Sequence, residues 1–296
     1  MAPPNDAPDD LPRAALLMVT SALLFAAMGV MVKVAATRLP NTMVVFSRNL
    51  FGLMALLPWI VRLGWHGLRT RAWREHAVRG LAGLAAMYCF FYAIAHLQLA
   101  EAVLLNYSLP LFTPIIAGLW LHEKVPARLW RALALGFVGL LIILRPGVGL
   151  FRPAALVGLA AAVLCALAQV GVRRLTRTEP IIRIVFYFAL ISTVVSGLPV
   201  LRSWTTPEHG LWPVLVALGV LATLGQIFLT RAYAQAPAAQ VGPFIYTTVV
   251  FAGLLDWLIW GRRALPDPAF MVGAVLVCAA GILALRSAGP PAPPPV

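Results

Sequence analysis

Three ionisable side chains, Arg48, Glu101 and Asp256, stand inside or at the edge of stretches that are otherwise apolar, and that setting gives them chemical meaning. A charge held at the centre of a hydrocarbon layer costs about 2.5–3.5 kcal/mol on insertion scales, so it needs a partner or a wet cavity. Arg48 lies about 9 Å into its stretch and Asp256 about 6 Å from the end of another, at 1.5 Å of rise per residue. Glu101 opens a third. All three fall on the same, outer side of the layer, so Arg48 is expected to pair with Glu101, otherwise with Asp256, and the pair to act as a gate. A proton on Glu101 would couple such a gate to pH.

Polar and aromatic groups nearer the middle of the apolar stretches are the candidates for holding a solute. They are Asn106, Tyr107, Gln169, Gln226, Tyr246 and Thr247. Tyr88 and Tyr92 with Phe90 and Phe91 form an aromatic cluster, and Phe25, Met28 and Gly29 follow the same logic on the first stretch. An aromatic wall suits a planar or cationic solute through stacking and cation–π attraction. Lys33 and Arg79 lie close enough to helix ends to snorkel to the surface. No basic pair is expected near mid-membrane, which argues against a phosphate-rich solute.

Covalent chemistry finds no footing. There is no HExxH, no GxSxG, no paired-aspartate arrangement and no Walker-type glycine loop, so neither an intramembrane enzyme nor an ATP-driven pump is indicated. Cys89, Cys165 and Cys278 stand singly among apolar residues, without the spacing a metal or redox site needs. No cofactor and no metal are expected. A lipid flippase or scaffold is the other class to weigh, and it differs by needing a lateral opening to lipid.

These residues must be positioned by helices in a membrane. Of 296 residues 61% are hydrophobic and 11% charged, with a mean hydropathy of +0.88, a balance no soluble domain of this length would carry. Continuous apolar runs, rather than period-two alternation, imply helices rather than a barrel. Ten spans are read at 14–35, 42–62, 76–96, 100–121, 128–145, 154–174, 181–201, 210–232, 238–260 and 268–286. The first is a retained helix, since Asp6, Asp9 and Asp10 precede it where a secretory signal would be basic. The fold class is an all-α polytopic membrane protein. Its net charge of +13 would suggest nucleic acid in a soluble chain, but these cations sit at span ends and report topology. No nucleic-acid partner is expected; the partners are a small-molecule substrate and membrane lipid, with the chain a monomer or homodimer.

Counted on alternate sides, 14 Lys and Arg fall on the N-terminal side and 6 on the other. That asymmetry places both termini in the cytoplasm, with the chain in the inner membrane. The sequence also repeats itself. At a spacing of 139, Ala93, Ala95, Ala100, Tyr107, Phe112 and Leu119 meet Ala232, Ala234, Ala239, Tyr246, Phe251 and Leu258. Upstream, Val30, Val32, Lys33, Pro40, Val45 and Phe46 meet Val170, Val172, Arg173, Pro180, Val185 and Phe186 at 140. Two units follow, 13–149 and 150–287, between an N-terminal tail at 1–12 and a proline-rich tail at 288–296. Five spans per unit force the second copy to insert upside down, giving a 5+5 inverted repeat suited to alternating access.

Each unit carries a small-residue break and a proline at its fourth span: Leu99-Ala100-Glu101-Ala102, Pro110-Leu111-Phe112 and His122-Glu123-Lys124 in the first copy. The second reads Ala236-Pro237-Ala238-Ala239, Pro243 and Gly261-Arg262. In these stretches the chain resembles the drug/metabolite transporter superfamily, in its EamA-like branch, over nearly its whole length between the tails. The resemblance implies ten helices and a secondary carrier of small organic metabolites or drugs. The Leu-Ala-Glu-Ala and Pro-Leu-Phe pattern also looks like the subgroup with S-adenosylmethionine uptake carriers, which makes that solute a candidate. Two departures stand out, His122 where the family has Gly and Arg262 where it has Glu. Only Glu123 remains to fill any role of the terminal carboxylates, and it is read as an interfacial charge solvated or paired near Lys124 and Arg128.

Overall fold

The chain was described from a computed structural model covering residues 10–97, 99–123, 125–146, 153–260 and 268–287. The two tails from 1 to 9 and 288 to 296, together with Lys124, Gly261 and Arg262, lie outside the described residues. Within them the structure is helical, without a strand: α1 (Leu11–Ala36), α2 (Asn41–Ala55), α3 (Leu57–Gly67), α4 (Trp73–His96), α5 (Leu99–Asn106), α6 (Leu109–Leu121), α7 (Ala127–Leu144), α8 (Pro153–Leu175), α9 (Ile181–Val200), α10 (Trp212–Gln235), α11 (Ala238–Val241), α12 (Thr247–Trp260) and α13 (Pro268–Ser287). The chain is an all-α polytopic membrane protein.

Among the described residues eight helical stretches are long and apolar enough to cross a membrane, or nine when α2 and α3, bent by 40°, count as one. Surface composition agrees. Large apolar side chains such as Leu16, Val61, Leu119, Leu156, Leu201 and Val275 point outward, more than half exposed, as befits walls solvated by lipid tails. Buried positions favour small residues, among them Ala14, Ala22, Ala132, Ala161, Ala166 and Ala232, which let helix backbones approach closely.

Proline and local chemistry set the breaks. Pro40 and Pro180 stand as N-caps of α2 and α9, where no backbone N–H is needed. The fourth span of each unit is interrupted: α5 ends at Asn106 and α6 restarts at Leu109, while α11 passes through a 3-10 turn, Gly242–Tyr246, into α12. Pro110 and Pro243 sit at those restarts, each removing one donor and one helical step. At the end of α6, His122 takes φ 55°. That left-handed C-cap is the conformation glycine adopts most cheaply, which gives a physical reason for the glycine that the resemblance implies at this position.

Three helix pairings dominate the packing, α1 along α10, α4 along α8 and α7 along α13, and α2 packs first on α10 and then on α9. Close approach of α2 and α10 depends on Gly219, where an added Cβ would stand 2.4 Å from Phe51 Cβ and 2.6 Å from the Gly52 nitrogen. Side chain to backbone bonds fasten the same layer: Thr223 donates to the Gly52 carbonyl at 2.9 Å, and Ser21 on α1 to the Gly225 carbonyl at 2.8 Å.

Candidate functional site

Between α2, α9 and α10 the helices leave a small, partly open cavity of about 20 Å³, lined by Arg48, Asn49, Gly52, Val185, Phe188, Ala189, Ala222, Thr223 and Gln226. That volume holds about one water molecule. The cavity is too small for an organic solute in this state, so loading it requires the helices to part.

Arg48 reaches this cavity from α2, as its depth in the sequence predicts, but its expected partners are elsewhere. Its Nη1 donates to Asn49 Oδ1 at 3.1 Å and its Nε points at Met28 Sδ at 3.5 Å, both neutral. Asp256 is instead paired with Lys33 Nζ at 2.6 Å, with the two side chains 40% and 57% exposed. A lysine expected to snorkel has therefore taken the acid. Glu101, the partner expected first, is buried at 1% exposure at the start of α5, and α5 packs on α8 rather than α2. The Arg48 pair therefore does not form: Asp256 is taken at the rim, and Glu101 is carried on a helix packed elsewhere.

The second guanidinium at the cavity was not expected there. Arg79, read from sequence as a snorkelling residue, is only 5% exposed. It donates from Nη2 to Gln226 Oε1 at 3.0 Å, and its guanidinium carbon lies 3.9 Å from the centre of the Phe188 ring. Gln226 and Phe188 are themselves cavity walls. Arg79 thus stands behind one side of the cavity and Arg48 faces it from another, so two arginines read separately from the sequence flank the same cavity. Sequence alone misplaces Arg79 because a start at residue 76 puts it one turn from a span end. The helix in fact begins at Trp73, and packing against α8 and α9 covers it. Gly83, one turn on, makes the room: a Cβ there would stand 2.6 Å from Arg79 Nη1.

The other candidates separate into two further groups. Tyr107 and Tyr246 meet in one apolar cluster with Leu104, Leu140, Val249 and Val277. Tyr107 falls in the break between α5 and α6, and Tyr246 ends the 3-10 turn, so these repeat mates occupy matching breaks. Neither lines the cavity. Tyr246 is fully buried and its hydroxyl has no hydrogen-bond partner among the described residues. Asn106 ends α5 beside Tyr107, and Thr247 donates to the Phe244 carbonyl at 2.6 Å, closing the 3-10 turn.

Gln169 on α8 accepts a hydrogen bond from the hydroxyl of Tyr233 on α10, both buried. This joins α8 to α10 about two turns from the Gln226 level of α10. Phe25 packs on Gly225, where a Cβ would come within 2.9 Å of its ring, and so closes α1 on α10 next to Gln226. Tyr88 is half-buried on α4, whereas Tyr92 is exposed and stacked on His96 with ring centres 4.0 Å apart. Phe90 and Phe91 lie 6.1 Å apart.

Glu123 is the functional-looking residue whose surroundings sequence reading missed. Its side chain is 8% exposed, and it pairs with Arg173 Nε at 3.2 Å and Arg177 Nη2 at 3.6 Å. It also accepts the Ala238 N–H at 3.0 Å. The partners come from α8 and α11, in the other half of the chain, and not from Arg128 as expected. Arg173 adds a bond to the Tyr233 carbonyl at 2.9 Å. The family-like carboxylate at the end of the fourth span was the one available signal.

A helical membrane bundle with an arginine-bearing cavity among its helices is a form suited to a solute transporter. The EamA-like transporter family matches the chain twice, over residues 12–145 and 152–286, and the chain belongs to that family. It is 34% identical over 282 residues to the pseudopaline exporter CntI of Pseudomonas aeruginosa (strain UCBPP-PA14), covering 94% of this chain and 98% of that one. It is 31% identical to the riboflavin transporter of Brucella anthropi over 91% and 97% of the two chains. The S-adenosylmethionine uptake transporter of Rickettsia bellii is 30% identical over 87% and 88%. A crystal structure with 19% identity superposes at a TM-score of 0.82 over 94% of this chain and 98% of the other, and shows the fold. The protein is therefore a transporter of small molecules and not an enzyme.

Proposed function

We propose that this chain is a secondary carrier of the inner membrane that moves small organic solutes by alternating access between two inverted five-span halves. The observation that carries the reading is the pairing of helices. If α1, α2–α3, α4, α5–α6 and α7 are the first five spans and α8, α9, α10, α11–α12 and α13 their mates, exchanging the halves turns the α1–α10 contact into the α8–α4 contact. It returns α2–α9 and α7–α13 to themselves. The three dominant pairings obey this exchange, and α2–α10, the next, turns into α9–α4, which is also made, so a two-fold axis in the membrane plane is the simplest source of the pattern.

The tenth span on this reading is α4. At 24 residues it is about 36 Å long, enough to cross, and Arg74, Glu75, His76 and Arg79 depress its hydropathy. The fourth-span breaks at Tyr107 and Tyr246 fit the same scheme, as does the double family match. The charge asymmetry supports a cytoplasmic position for both termini. That puts Glu123, Arg173, Arg174, Arg177 and Glu75 at the cytoplasmic end and the Lys33–Asp256 and Arg38–Glu208 pairs at the other.

The relatives are named for three chemically different solutes, pseudopaline, riboflavin and S-adenosylmethionine, so family membership supports transport without selecting the cargo. Counterflow in proteoliposomes preloaded with a bacterial metabolite extract tests the reading. Exchange of a labelled component that depends on the protein supports it, and a membrane that stays tight to every component defeats it.

A further inference from the structure

We infer, on the basis of that carrier reading, that the cargo is an organic anion whose carboxylate is held between Arg48 and Arg79. Arg48 lines the cavity, and Arg79 stands behind its wall, against the Gln226 and Phe188 that line it. Among the described residues neither guanidinium meets a carboxylate. Arg48 has only Asn49 and the Met28 thioether, and Arg79 has only the Gln226 amide and the Phe188 face. Arg79 Nε is buried with no hydrogen-bond partner.

Two unneutralised guanidiniums are an expensive way to flank a cavity. Five N–H donors on each exceed what the neutral neighbours accept, and the remaining donors have the fork geometry that suits a carboxylate. Structural ion pairs in this chain are built differently. Arg173, Arg177 and Arg183 each face a glutamate, at 3.2, 3.6 and 2.5 Å. The cavity arginines are the exception, and an anionic solute supplies the charge they lack. Phe188 adds a flat apolar wall for the carbon skeleton, while Thr223 and Asn49 supply hydroxyl and amide groups at its edge.

A panel of mono-, di- and tricarboxylates, each with its neutral amide, together with quaternary amines and inorganic phosphate, is screened against the full-length purified protein by thermal stability. The ligands that raise the melting temperature are expected to be carboxylates. Arg48→Gln and Arg79→Gln should each weaken them by tenfold or more. Gln226→Glu keeps the side-chain shape and places a carboxylate beside Arg79, so it should raise the melting temperature of the unliganded protein while weakening carboxylate binding at least tenfold. That variant keeps the test decisive should either arginine variant fail to fold. Stabilisation confined to neutral, cationic or phosphate members, no carboxylate acting on the wild type, or carboxylate binding unchanged in Gln226→Glu overturns the inference. A carboxylate that binds yet is not exchanged across proteoliposomes defeats the carrier reading instead, and a neutral solute that is exchanged defeats the charge assignment alone.

Discussion

Glu123, at the end of α6, accepts from Arg173 on α8 at 3.2 Å and lies 8% exposed between the halves of the chain. With Arg177 at 3.6 Å and the Ala238 N–H at 3.0 Å it ties α6 to α8 and α11 in one knot. Buried and fully hydrogen-bonded, it differs in kind from the surface pairs elsewhere in the molecule.

Neutralising Glu123 removes the carboxylate that the largely buried Arg173 faces. Glu123→Gln should cost about 3 kcal/mol of stability, the range for breaking a buried pair from one side, whereas Glu123→Gln with Arg173→Gln should lose less than the sum of the single losses. Denaturation of the purified variants in detergent measures it. Additive losses would show that the two side chains are not coupled.

The pair of Lys33 and Asp256 should matter little. With 57% and 40% of the side chains exposed, such a bridge is worth about 0–1 kcal/mol. Asp256→Asn and Lys33→Gln should each leave the melting temperature within a degree or two of wild type, in scanning fluorimetry, and screening salt should not change the result.

Two glycines give opposite expectations. Gly219→Ala drives a Cβ to 2.4 Å from Phe51 and should destabilise by about 1–3 kcal/mol or more as α2 and α10 are forced apart. Gly29→Ala meets nothing within 4 Å and should be neutral or gain about 0.5–1 kcal/mol from helix propensity. Comparing yields and melting temperatures of the two variants checks both.

Fusion reporters at the two ends test the topology. Both should report from the cytoplasm, and an extracytoplasmic signal at the C-terminus would contradict ten spans in a 5+5 arrangement.

The residues that mark the fold were legible because they act locally. Apolar runs, Pro110 and Pro243 at restarts, and the matched Tyr107 and Tyr246 all announce themselves within a turn or two of chain. Arg48 and Gln226 were legible as polar groups at depth. What sequence could not supply was rotation and neighbours. Which side of α4 carries Arg79, and therefore whether it snorkels or faces inward, is decided by packing on α8 and α9. Asp256 was within reach of two cations by depth alone, and only the fold gives it to Lys33. Glu123 was judged by the cations next to it in sequence, while its partners lie 50 and 115 residues away.

Alternating access around the arginine-bearing cavity is the central claim, and accessibility of a single cysteine at its wall tests it without knowledge of the cargo. In a chain with Cys89, Cys165 and Cys278 replaced, Ala222→Cys is exposed to a membrane-impermeant thiol reagent added to one side of sealed vesicles at a time. The account predicts labelling from either side, with Glu123→Gln speeding the cytoplasmic reaction and slowing the other. Labelling from one side only, in both the parent and the Glu123→Gln background, would contradict it.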